Sequence, residues 1–154
     1  MRNQYHLAIL YRYMLDKIIS GDKTIEGRFH KVKTTPFGRI QKGDIVFLKE
    51  TSGPVRGYII VKDVKYYVHP SVVTIENILE KYGDKLCIDR SFRDKALQAN
   101  YITLIFIDKV YAIPPVHIPK RDRRAWIIFD TQSTLFPTGD EEWKNQLLSA
   151  LAER

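Results

Sequence analysis

The apolar residues of this chain change period repeatedly over short distances, and this constrains the fold more than any other feature. Residues 5–11 form an unbroken aromatic and aliphatic run, the pattern of a buried strand. The period then turns helical: Met14, Leu15, Ile18 and Ile19 recur on one face of residues 12–20, and Gly21 supplies a stop. Residues 24–30 return to strand, and Pro36, Gly38 and Gly43 mark a loop over 34–43. Strand-like runs at 44–50 and 55–65 flank Thr51-Ser52-Gly53-Pro54, which predicts a β-hairpin. Ile75, Ile78, Leu79 and Tyr82 predict an amphipathic helix that Gly83 ends. A second helix is expected over 92–99, a strand over 101–113 stopped by Pro114 and Pro115, and a short strand over 125–129. Thr138-Gly139-Asp140-Glu141 has the form of a capping box ahead of a terminal helix carrying Trp143, Leu147, Ala150 and Leu151.

Short strands with helices between them predict an α+β fold around a small, curved sheet or barrel, with flanking helices and a C-terminal helix. The 154 residues suit a single domain, with a core over about 5–130 and the terminal helix over about 139–152. One cysteine, Cys87, excludes an internal disulfide and a cysteine-based zinc site, and its default role is that of a buried structural thiol. His6, His30, His69 and His117 show no metal-ligand spacing, so neither a metal nor another cofactor is expected. No apolar run approaches the roughly 18 residues of a membrane span, and the N-terminus opens no signal-peptide core. The expectation is a cytoplasmic protein without a membrane partner.

Lys and Arg number 25 against 18 Asp and Glu, a formal charge of +7, which favours polyanionic partners. Most of that surplus lies early: residues 1–50 carry ten cations and five acids. Later, Lys120, Arg121, Arg123 and Arg124 place four cations within five positions. These two regions could bind a polyanion together only if folding joins them.

The most informative stretch is Gly21-Asp22-Lys23-Thr24-Ile25-Glu26-Gly27-Arg28. On a strand, Thr24, Glu26 and Arg28 point to one face and Ile25 and Phe29 to the other, with Lys23 at the strand entry. Arg offers a planar fork of donors, Lys a mobile charge, and Glu accepts N–H groups, so the set could hold a polar ligand. Spacing alone more readily describes an ordinary surface ion pair on a polar strand face.

The Gly21, Lys23, Glu26 and Arg28 pattern, preceded by strand and helix and followed by a Lys42-Gly43-Asp44 turn into an apolar strand, resembles the ASCH domain (activating signal cointegrator homology) of the PUA-like superfamily. The likeness covers residues 5–113 in order of elements, and Pro119 to Trp126 looks like that family's short return strand with a tryptophan. It implies a small PUA-like mixed β-barrel with a cleft lined by Lys23, Glu26 and Arg28. It also implies binding of RNA or other nucleic acid, or of a nucleotide-like small molecule. One branch of the family hydrolyses acylated cytidine with a threonine nucleophile beside a lysine and a carboxylate. Its lysine matches Lys23, its threonine falls on Glu26, and its carboxylate is not assignable between Asp84 and Asp89. A carboxylate cannot serve as the acyl-accepting hydroxyl. Thr24 survives at a different register.

Arg12, at the strand–helix junction, faces the same cleft in the family and could contact phosphate. Trp126 beside Arg123 and Arg124 could stack on a base, although a tryptophan within Ala-Trp-Ile-Ile-Phe is more often core. The sequence therefore points to a nucleic-acid or nucleotide-like ligand-binding domain using Arg12, Lys23, Glu26, Arg28, Arg123, Arg124 and Trp126. In that reading Glu26 either accepts from a base or holds Arg28. The alternative is a hydrolase of RNA or modified nucleosides, ribonuclease or amidohydrolase-like, using Lys23, Thr24 and Glu26. A third class is a protein-interaction module presenting the terminal helix.

Overall fold

In a computed structural model, residues 3–119, 124–129 and 142–152 are described. Chain order is β1 (Tyr5–Leu10), α1 (Arg12–Ser20), β2 (Ile25–His30), β3 (Ile45–Glu50) and β4 (Val55–Val68), then α2 (Val72–Leu86), α3 (Arg90–Leu97), β5 (Tyr101–Val116), β6 (Trp126–Phe129) and α4 (Glu142–Ala152). The fold is α+β: six strands in the order β2-β5-β4-β3-β1-β6 curl into a half-barrel, with β2 and β6 at its edges. Only β1 and β3 run parallel; the remaining pairs are antiparallel. The long β4–β5 ribbon carries register shifts at Val55/Gly57, Ile60/Val61 and Val61/Asp63. Such bulges bend a strand and raise its twist, which produces the curl.

Strand alternation distributes the core. Leu7, Phe47 and Tyr58 lie on one face with Trp143 and Leu147 of α4. Ala8, Leu48 and Ile59 lie on the other with Leu15 and Ile18 of α1. At the β2 edge Ile25 and Phe29 pack with Ile75, Ile78 and Leu86 of α2 and Ala96 of α3. Their strand-mates Glu26 and Arg28 pair with Ile105 and Thr103, and Ile105 belongs to the face covered by α1. The period of two therefore puts the charged pair and the apolar pair on opposite sides of an edge strand, as the spacing predicts.

Several element ends differ from the sequence expectation, among them β4, which runs past 65 to Val68. Gly83 does not terminate α2, which runs to Leu86 and is capped by Cys87 in the left-handed region at φ 56°. Interior glycine costs about 1 kcal/mol, but continuing the helix buries Leu86 completely, worth about 2 kcal/mol. Strand β5 passes through Pro114 and Pro115 to pair Val116 with Val55. The second neighbour, β2, reaches only as far as Phe106, and the register against β4 shifts between Val55 and Gly57. The prolines therefore fall at a bulge beside an open edge, where missing N–H groups are tolerated. Helix α3 begins at Arg90 rather than Phe92, because the Asp89 side chain accepts the Phe92 N–H as N-cap. The expected capping box at 138–141 lies outside the described residues.

Candidate functional site

A cleft of about 370 Å³ opens between the first turn of α1, the edge strand β2 and the connection from α2 to α3. Lys23, Glu26 and Arg28 all line it. Lys23 is only 2% exposed; its Nζ donates to the Ile25 carbonyl at 2.9 Å and to the Leu86 carbonyl. Leu86 ends α2, where carbonyls lack helical partners, so Lys23 closes that end with a full positive charge. The same Nζ lies 3.9 Å from Glu26 Oε1. Glu26 is 7% exposed, and its Oε2 is buried without a hydrogen-bond partner. Both groups are buried, so the surface ion pair that the spacing also allowed is not what forms.

Arg28 is held from behind. Its guanidinium lies 4.9 Å over the Trp126 ring and its Nη2 donates to the Ile9 carbonyl at 3.2 Å, while Nε is buried and unpartnered. Trp126 in turn donates Nε1–H to His6 Nδ1 at 2.9 Å. An indole nitrogen only donates, so His6 Nδ1 must carry a lone pair and the ring proton sits on Nε2. That proton goes to Asp44 Oδ2 at 2.8 Å. Asp44 is fixed by the backbone N–H groups of Gln4 and Gln41 at 2.9 and 3.1 Å. Burial pushes the His6 imidazole below its ordinary value, outweighing the opposite pull of Asp44. The chain Asp44–His6–Trp126, with its imidazole neutral, is thus a buried prop beneath Arg28.

The remaining walls mix aromatic and aliphatic side chains. Tyr11 and Tyr13 line the mouth, 64% and 54% exposed, with rings stacked at 6.1 Å and 11°. Phe29 meets Phe92 edge-to-face at 5.5 Å. His30 also lines the cleft; burial, then the charges of Arg28 and Lys95, hold its imidazole below the ordinary value, and its Nδ1 is buried and unpartnered. The cationic linings Lys23, Arg28 and Lys95 face the carboxylates Glu26 and Asp89, so the cleft is mixed in charge with a small cationic excess. Asp89 is occupied as the α3 cap: it accepts from Ser91 Oγ and Phe92 N, which draw its carboxyl below the usual range. Cys87, expected as a buried core thiol, is instead half-buried at the cleft wall, because it serves as the left-handed cap of α2. No group of three or more His, Cys, Asp or Glu that could hold a metal occurs among the described residues.

The other candidates fall elsewhere. Arg12 is exposed and does not line the cleft; its Nε lies 3.6 Å from Glu50 Oε1 and 4.0 Å from Asp16 Oδ2. Thr24 precedes the strand, exposed and outside the cleft lining, with its backbone N–H and carbonyl bonded to Lys85 and Ile107. Its hydroxyl is therefore not beside Lys23 and Glu26 in a common pocket. Asp84 is exposed outside the cleft, whereas Asp89 is at its wall. Trp126 is 2% exposed, so it is no stacking platform for a base; it packs as core and supports Arg28. Arg124 is exposed next to Ala125, which does line the cleft; Arg123 lies outside the described residues. Tyr11, Tyr13, His30 and Lys95 escaped the sequence reading. The tyrosines flank Arg12 at the strand–helix junction, a position where either burial or exposure is compatible with the apolar pattern.

No protein-family model matches this chain. Among solved structures it is similar to an ASCH protein from Zymomonas mobilis, with a TM-score of 0.69, 12% identity and 94% of each chain covered. A tyrosine-to-phenylalanine variant of that protein gives a TM-score of 0.67 at 12% identity, covering 94% of this chain and 96% of the other. A serine-to-alanine variant gives 0.64 at 13% identity, with 94% of each covered. No helix among the described residues is long and apolar enough to cross a membrane. The curled six-stranded sheet and its four helices therefore make up an ASCH-like fold.

Proposed function

We propose that this cleft binds RNA or a nucleotide-like ligand, and that it takes one nucleobase against Glu26 and Arg28. The observation that carries the reading is the Glu26 carboxylate: nine-tenths buried, with Oε2 lacking any donor. An unmet buried acceptor costs about 1–3 kcal/mol, which a ligand supplying N–H groups would recover. Arg28, two residues along the same strand face, offers donors where Glu26 offers acceptors. A nucleobase edge carries both kinds of group within one planar ring. The aromatic side chains in the walls suit such a ring, and about 370 Å³ lies in the lower part of the ~300–1,000 Å³ range of small-ligand pockets. The volume fits one nucleoside unit rather than a helix. Tyr11 and Tyr13 at the mouth offer faces on which a neighbouring base of a single strand would stack.

The test is a fluorescence-anisotropy titration of a labelled, mixed-sequence single-stranded RNA against the wild type and Glu26→Gln. The substitution keeps the shape and removes the charge. Loss of a charge-assisted hydrogen bond of about 1.5–3 kcal/mol predicts affinity falling by roughly 10-fold to 150-fold. Absence of binding at low salt, or equal affinity of the two proteins, overturns the reading.

A further inference from the structure

Beyond the cleft, the end of β2 and the last turn of α3 enclose a second recess of about 390 Å³. Phe29, His30 and Lys95 line both spaces, so the two are contiguous; Lys31, Gln98 and Ala99 complete the second. We infer that this recess is an anion subsite that takes a phosphate group of the ligand whose base occupies the neighbouring cleft. For its nucleotide part the inference rests on the proposed reading of that cleft.

Three observations carry it. Lys31 and Lys95 are exposed at the recess, and none of the ion pairs among the described residues engages either. His30 Nδ1 is buried and unpartnered at the wall between the two spaces. The backbone presenting these groups is pinned: Asn100 N–H donates to the His30 carbonyl and Asn100 Nδ2 to the Lys31 carbonyl, both at 2.9 Å. A phosphate oxygen accepts from ammonium, imidazole N–H and the Gln98 amide alike, whereas a cation would meet two like charges here. The carbonyl end of α3 opposes an anion with about half a charge at most, set against two full positive charges. In isolation Lys95 would be accounted for by the α3 dipole and its position 5.5 Å from the Phe92 ring. Neither accounts for Lys31 or for the stranded His30 nitrogen.

Two measurements test this separately from the base site. In the first, inorganic phosphate is titrated into the ¹⁵N-labelled protein. The expected result is saturable shifts at the amides of His30, Lys31, Lys95, Gln98 and Ala99, lost in the double variant Lys31→Ala, Lys95→Met, in which methionine keeps the packing on Phe92. Shifts that are absent, spread over the surface, or unchanged in the variant overturn the subsite. In the second, the labelled RNA is titrated at several salt concentrations. Removing one or two phosphate contacts lowers the slope of log affinity against log salt by roughly 0.7–1.4 in the double variant. Glu26→Gln should weaken binding at an unchanged slope. RNA binding with an unaltered slope in the double variant sinks the subsite and leaves the base reading standing. Local phosphate shifts without RNA binding support the anion subsite while removing RNA as its ligand.

Discussion

Replacing Trp126 by phenylalanine tests the prop beneath Arg28 through a pH signature that simple core damage does not produce. The substitution removes the Nε1–H that meets His6 Nδ1 at 2.9 Å, stranding a ring acceptor on a residue with 0% exposure. An unmet buried acceptor costs about 1–3 kcal/mol, and the smaller ring adds about 1 kcal/mol of lost packing, for a total of about 2–4 kcal/mol near neutral pH. In the wild type His6 resists protonation, since its imidazole is held below the unfolded value of 6.5. The unfolded chain then takes up a proton that the native state refuses, so stability is full above 6.5 and declines as the solution is acidified. Between about pH 7.5 and pH 5.5 that decline reaches at most about 1.4 kcal/mol for one histidine. In Trp126→Phe the freed Nδ1 can accept the proton while Nε2–H keeps its bond to Asp44. The part of the acid sensitivity that comes from the occupied Nδ1 is thereby removed, while the part that comes from burial remains. Urea unfolding of both proteins at the two pH values should give a destabilisation that is smaller in acid, by at most about 1 kcal/mol. His30, also held below the ordinary value, adds a parallel contribution that a His30→Asn background removes from both proteins. An equal destabilisation at the two pH values would refute the tautomer and the prop built on it.

Gly27 sits beneath the end of α2: a Cβ there would come within 2.8 Å of Leu86 Cδ2 and of Phe29 Cε1. Gly27→Ala should therefore cost about 1–3 kcal/mol in urea unfolding, because both neighbours are buried core side chains. A neutral or stabilising result means that α2 yields without loss. Lys23→Met leaves the Ile25 and Leu86 carbonyls and the Glu26 carboxylate without their cation, and should cost about 3–5 kcal/mol in the same assay. A fully stable Lys23→Met protein would refute the dependence of these three acceptors on the lysine.

Much of the fold was legible because apolar period is a local property. The helix at 12–20 and its Gly21 end, the hairpin around residues 51–54 and the two-faced alternation of 25–29 all follow from neighbours a few positions apart. Locality also explains the misses. Gly83 reads as a stop, yet Leu86 finds its site on β2 and α2 continues; Pro114 and Pro115 read as breakers, yet the sheet leaves their edge open. The Lys23, Glu26 and Arg28 cluster was visible as a pattern, but its burial depends on α2 ending against it from residues more than sixty positions away. Trp126 was legible as an aromatic near cations; only the tertiary fold brings it onto His6, 120 positions earlier, and turns it into a support rather than a platform. His30, Lys31 and Lys95 carried no motif at all, since they gather only where β2 meets α3. Sequence by itself determined which residues alternate, cap and turn. Burial and the pairing of charges belong to the tertiary structure, because desolvation depends on everything that packs around a group and not on its neighbours along the chain.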